Sequence, residues 1–137
     1  MSGRPAPSRR LLLKSAAATP AAGLALTACS GETGPAAPTA PVDLGAASEV
    51  PEGGAHLYRD HNVVVSRSGD TYTAHSTICT HAGCAINKLQ GTTLICPCHG
   101  SEFDARTGDV LRDPATEPLQ KLSVQAKNGR IVAGPAD

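Results

Sequence analysis

Two short clusters of metal-seeking side chains constrain this chain more than anything else in it: Cys79-Thr80-His81-Ala82-Gly83-Cys84 and Cys96-Pro97-Cys98-His99-Gly100-Ser101. Four of its five cysteines and two of its five histidines fall between positions 79 and 101. Thiolates and imidazoles are the donors chosen by soft and borderline metals, so a fold that uses both clusters must bring them face to face. A structural zinc site draws on the same donor set. The commoner zinc spacings leave about two to four residues between paired cysteines, whereas each cluster here pairs a Cys with a His, one residue apart in the first and two in the second. His56, His61 and His75 stand outside any motif and read as surface or strand residues.

The rest of the chain suggests why such a centre would matter to folding. Tyr58, Tyr72 and Phe103 are the only aromatic residues and there is no Trp, so the core must be built from Val, Ile, Leu and Ala. A core of roughly 90 residues usually gains stability from a metal or a disulfide. After Val42 short apolar runs alternate with turn residues: His56-Leu57-Tyr58, Asn62 to Ser66, Thr71 to His75, Thr92 to Ile95, Asp109 to Leu111, Leu119 to Ala126 and Arg130 to Ala133. They are rich in Val, Thr, Ile or Tyr and bounded by Ser68-Gly69-Asp70, Thr107-Gly108 and Asn128-Gly129, the pattern of strands in an antiparallel sandwich or small barrel. A turn or two of helix is expected only near Ala85 to Leu89, and the fold class is all-β.

The N-terminal region has a different character. Residues 1–28 carry Arg4, Arg9, Arg10 and Lys14 and no acid, which marks a targeting segment. The remainder holds 8 basic and 12 acidic residues, a formal charge of −4, which speaks against nucleic acid as a partner. Ser8-Arg9-Arg10-Leu11-Leu12-Leu13-Lys14 resembles the twin-arginine export motif. The Ala-rich stretch Ser15 to Ala28, broken by Pro20 and Gly23, is too short and too weakly apolar to span a bilayer of about 30 Å. It ends in Leu26-Thr27-Ala28-Cys29, which resembles a bacterial lipobox in which Cys29 is lipidated and becomes the new N-terminus; simple cleavage near Ala28 is the alternative. Several acyl chains on one residue hold a membrane much better than one. Ser30 to Pro41, mostly Ser, Gly, Pro, Ala and Thr, reads as a disordered tether with a reach of roughly 35 Å if extended. The expected organisation is a signal peptide over 1–28, a lipidated Cys29 and tether over 29–41, and one domain over 42–137.

The two clusters match at every defining position the paired loops C-x-H-x-G-C and C-P-C-H-G-S, and on those residues the chain resembles the Rieske family over roughly 42–134. The resemblance implies one 2Fe-2S cluster, a Rieske-type antiparallel β fold and a cluster-binding subdomain of two loops. It assigns Cys79 and Cys96 to the inner iron and His81 and His99 to the outer iron. It further implies a disulfide between Cys84 and Cys98 of the kind found in cytochrome bc and b6f proteins, with two reduced thiols as the alternative. An exported setting permits that bond. Ser101 stands where the family's serine donates to a bridging sulfide, and Phe103 where the respiratory proteins usually carry a Tyr that donates to a ligand sulfur. Ala82 replaces a Leu common in quinol-oxidising relatives. Asp113 to Leu119 resembles the family's proline-rich shielding loop, with Asp113 in place of its usual glycine.

For function, the resemblance implies one-electron transfer with no catalytic residue of the chain's own. The expected location is the outer face of the bacterial cytoplasmic membrane, the expected partners unidentified redox proteins, and the expected membrane link the lipid on Cys29. A small Rieske subunit of a larger oxidoreductase, quinol-cytochrome c reductase or arsenite oxidase-like, is the second reading. A cytoplasmic dioxygenase ferredoxin fits less well, because such ferredoxins lack the export signal and the equivalents of Cys84 and Cys98.

Overall fold

A computed structural model describes residues 34–137; the signal region, Cys29 and the first part of the tether lie outside the described residues. Ten strands form: β1 (Val42–Ala46), β2 (Ala55–Tyr58), β3 (Val63–Ser68), β4 (Thr71–Ser76), β5 (Lys88–Gln90), β6 (Thr93–Ile95), β7 (Glu102–Asp104), β8 (Val110–Arg112), β9 (Lys121–Lys127) and β10 (Arg130–Pro135). Two 3-10 turns, Ala47–Glu49 and Arg59–His61, are the helical pieces among the described residues. The all-β expectation holds.

Local chemistry sets the hairpins. Asn128 and Gly129 both take positive φ, 52° and 73°, as a two-residue type I′ turn requires, and Lys127 pairs with Arg130 across them. The strands assemble into two antiparallel sheets, one of six strands in the order β1-β10-β9-β4-β3-β2 and one of four in the order β5-β6-β7-β8. The small sheet is inserted between β4 and β9, which pair directly through Ala74 with Leu122 and His75 with Lys121.

β3 separates two cores. Val63, Val64 and Val65 have no exposed surface, and because side chains alternate along a strand they serve different sides. Val63 and Val65 join Leu44, Val50, Tyr58, Leu122 and Ile131 in one core; Val64 joins Leu94, Phe103, Leu119, Cys79 and Cys96 in the other. A strand buried on both faces loses the apolar-polar alternation of a half-buried one and reads as a continuous apolar run.

Three strands differ from expectation by being present. β1 is interrupted by a bulge at Gly45, and β5 and β7 are three residues each. The helical turn expected near Ala85 to Leu89 does not form. Ala85 bridges Ile78, the Ile86 N–H donates to the Thr77 carbonyl at 2.8 Å, and β5 begins at Lys88. This extended path carries Ile86 into the second core. Ala36 and Ala37, within the expected tether, are held against the domain: Asn62 Nδ2 donates to the Ala36 carbonyl at 2.9 Å and Ala37 packs on the first core.

Candidate metal centre

Both cysteine-histidine clusters are loops at the small sheet, and they share one backbone design. In the first, after β4, the Cys79 N–H donates to the Cys84 carbonyl at 2.8 Å and the Gly83 N–H returns to the Cys79 carbonyl at 2.9 Å. In the second, between β6 and β7, the Cys96 N–H donates to the Ser101 carbonyl at 2.8 Å and the Gly100 N–H returns to the Cys96 carbonyl at 3.1 Å. The glycine four residues after the cysteine has φ of 77° in one and 78° in the other, a left-handed conformation that residues with a Cβ resist. Each loop buries its first cysteine and exposes its histidine.

The side chains follow from that backbone. Cys79 and Cys96 are free thiols, each 2% exposed. His81 and His99 are exposed, with ring centroids 4.8 Å apart and planes nearly perpendicular. Cys84 and Cys98 form the implied disulfide, S–S 2.04 Å, tying the end of one loop to the middle of the other. The Cys96 sulfur lies within 4.8 Å of both disulfide sulfurs, but two bonded cysteines have no thiolate to offer a metal, so the donors left are Cys79, Cys96, His81 and His99. Burial pushes the Cys79 thiol above its ordinary range, the neighbouring Cys96 adds to this, and the His81 N–H and Ser101 hydroxyl pull the other way. A thiol held protonated in this way would have to release its proton to bind a metal.

A third segment, Asp113 to Pro118 between β8 and β9, lies against both loops. The Ala115 N–H donates to Ser101 Oγ at 3.0 Å, and Thr80 Oγ1 donates to the Glu117 carbonyl at 2.6 Å. Ala115 and Leu119 are buried in the second core, and Ser101 is completely enclosed. The sequence marked Ser101 and this segment; it held no signal for Thr80 as their link. Phe103 is also fully buried there, paired with Leu94 and Val110, and its ring carries no donor. The other histidines stay apart from the loops: His56 lies against Tyr58 with ring centroids 4.6 Å apart and planes tilted by 53°, His61 is exposed, and His75 is buried on β4.

Comparison with known proteins agrees with this geometry. The family description "Rieske 2Fe-2S domain" matches residues 40–123, more than half of the chain. The chain belongs to the Rieske family. Among curated relatives, the cytochrome b6-f complex iron-sulfur subunit of Chlorobaculum tepidum is 36% identical over 96 residues, 68% of this chain and 52% of that protein. A putative respiratory nitrate reductase subunit Rieske of Haloferax mediterranei is 39% identical over 64 residues, 45% of this chain and 29% of that protein. The chain thus spans about half the length of the Chlorobaculum relative, and less of the other. Among solved structures, the cyanobacterial plasma membrane Rieske protein PetC3 from Synechocystis PCC 6803 superposes with a TM-score of 0.53 at 32% identity, covering 67% of this chain and 97% of that one.

The Rieske cofactor is one 2Fe-2S cluster, and the donors fit it. Rieske iron takes two thiolates on one side and two imidazoles on the other, and this site offers two buried free thiols and two exposed imidazoles. A 2Fe-2S cluster carries one electron at a time, which makes electron transfer the chemistry of the domain.

Proposed function

We propose that this chain is a one-electron carrier in which Cys79 and Cys96 ligate the inner iron and His81 and His99 the outer iron. The observation that carries the assignment is the burial contrast between enclosed thiols and exposed imidazoles: electrons exchange with a partner at the imidazole side, while the thiolate side is kept from water. Two neutral imidazoles in place of two thiolates make the reduced state less costly, and Rieske potentials accordingly lie at about −150 to +300 mV. Ser101 supports the reduced state by donating toward sulfur.

The proposal extends to location. Residues 1–28 direct export by the twin-arginine route, which carries chains already folded, and Cys29 bears the lipid that keeps the domain at the outer face of the cytoplasmic membrane. Among the described residues no helix is long and apolar enough to cross a membrane. Service as the Rieske subunit of a larger oxidoreductase is the second reading, favoured by relatives that are themselves named as subunits of a cytochrome b6-f complex and of a nitrate reductase.

Iron and sulfide analysis of purified full-length protein, with an electron paramagnetic resonance redox titration, tests the ligand assignment. Two irons, two sulfides and a Rieske-type reduced spectrum are expected, and zinc without iron would overturn it. Arg9→Lys with Arg10→Lys should retain the protein in the cytoplasm, and Cys29→Ala should release it from membranes. Co-purification of a large partner from solubilised membranes would favour the subunit reading.

A further inference from the structure

The segment Asp113 to Pro118 has no ladder of its own. Pro114 and Pro118 supply no N–H, and the segment lies outside every strand. Among the described residues its polar ties to the ligand loops are two: Thr80 Oγ1 to the Glu117 carbonyl, and the Ala115 N–H to Ser101 Oγ. Thr80 belongs to the first loop and Ser101 to the second, so this third segment is fastened once to each.

The two ties run in opposite senses, and that difference has chemical content. A serine hydroxyl has one proton and two lone pairs. With the Ala115 N–H occupying the acceptor side of Ser101 Oγ at 3.0 Å, the hydroxyl proton is left to be donated elsewhere. Under the proposed function that proton is donated toward sulfur. Ser101 is fully enclosed, so no solvent water competes to turn the hydroxyl. The aim of that proton therefore depends on where Ala115 is held, and the tie two residues further along is made by Thr80.

We propose that Thr80 and Ser101 act as one positioning unit, in which Thr80 fixes the Asp113–Pro118 segment so that the Ala115 N–H aims the Ser101 hydroxyl at cluster-side sulfur. Thr80 touches no reacting atom in this scheme; it acts through Ala115 and Ser101. The inference rests on the ligand assignment under Proposed function. Its consequence is coupling: the part of the reduction potential that Ser101 sets is available only while Thr80 holds the segment.

The test uses the full cluster-loaded chain with Thr80→Val, Thr80→Ser, Ser101→Ala and the Thr80→Val/Ser101→Ala pair, read by voltammetry and by hydrogen exchange of the peptide covering 113–119. Thr80→Val should lower the midpoint potential, and Thr80→Ser, which keeps the hydroxyl, should restore it. In the Ser101→Ala background Thr80→Val should shift the potential little further. Exchange of the 113–119 peptide should rise roughly three- to tenfold in both Thr80→Val and Ser101→Ala, as expected for one lost hydrogen bond. Equal shifts from Thr80→Val in both backgrounds, or no shift at all, would overturn the proposal. Should Thr80→Val fail to hold iron, the exchange measurement on Ser101→Ala decides, and an unchanged 113–119 peptide refutes the coupling. Wild-type protein lacking iron would sink the ligand assignment instead, a result that iron analysis separates from loss of coupling.

Discussion

Cys84 and Cys98, 14 residues apart in the chain, are joined covalently with their Cα atoms 6.6 Å apart, and each sits in a different loop. The bond spans the place where two otherwise short, glycine-hinged loops must stay together around a buried pair of thiols.

Replacing both Cys84 and Cys98 with Ala should therefore cost about 3 kcal/mol, the chain-entropy estimate for a closed loop of this length. Urea unfolding of oxidised wild type and variant measures it. The cluster of the variant should also bleach faster on warming; equal stability and equal bleaching would mean that the backbone alone holds the loops.

Phe103→Tyr should raise the midpoint potential. The ring is fully buried in the core that contains Cys79 and Cys96, so a hydroxyl at its edge has no bulk water to turn to. A differential hydrogen bond of about 1 kcal/mol corresponds to roughly 40 mV for one electron, and voltammetry resolves that readily. An unchanged or lower potential would show that the new hydroxyl points away from sulfur.

Much of the fold was legible in the sequence, and the misses have physical causes. The runs around Val63, Thr71 and Leu122 are long enough to show strand composition, and Asn128-Gly129 names its own turn. Glu102-Phe103-Asp104 shows polar-apolar-polar alternation for a single period, too short to separate from a loop, and Val42 to Ala46 is broken by Gly45. Near Ala85 the composition allows a helix, and the decision falls to tertiary pairing with Ile78 and Thr77. At the site, the two cysteine-histidine loops were readable because metal chemistry fixes residue type and spacing together. Thr80 was not, since its acceptor Glu117 lies 37 residues away and nothing local to either position announces the other.

Stability should fall on mild acidification through His75. Burial holds its imidazole below the usual range, Lys121 adds to this, and the Ala105 and Thr107 backbone and the Asp109 carboxylate oppose it; Nδ1 has no hydrogen-bond partner. The unfolded chain takes up a proton at about pH 6.5, whereas the folded chain does so only at lower pH, so between those values the unfolded state binds more protons and stability rises with pH. The slope from this one site is at most about 1.4 kcal/mol per pH unit. Unfolding midpoints between pH 5 and 7.5 should decline less steeply toward acid in His75→Gln than in wild type; parallel curves would assign the acid sensitivity elsewhere.

Gly108→Ala should destabilise the domain. A Cβ there would come within 2.8 Å of His75 Cδ2 and 3.3 Å of the Leu119 carbonyl, at a φ of 81°. Strain of this kind costs about 1–3 kcal/mol, which thermal unfolding would report. A variant as stable as wild type would show that His75 and Leu119 can retreat.

The three consecutive valines of β3 have one more implication, for how the strand finds its place. Sliding the strand by a single residue would exchange which valine looks toward which core, and since all three are alike, apolar content alone barely distinguishes the two alignments. Discrimination must come from the ends: Asn62 in a left-handed conformation on one side, with its carbonyl taking the Thr77 N–H, and the Ser66 and Thr73 hydroxyls meeting at 2.5 Å on the other. An engineer wishing to reshape either interior should leave those two punctuation marks untouched.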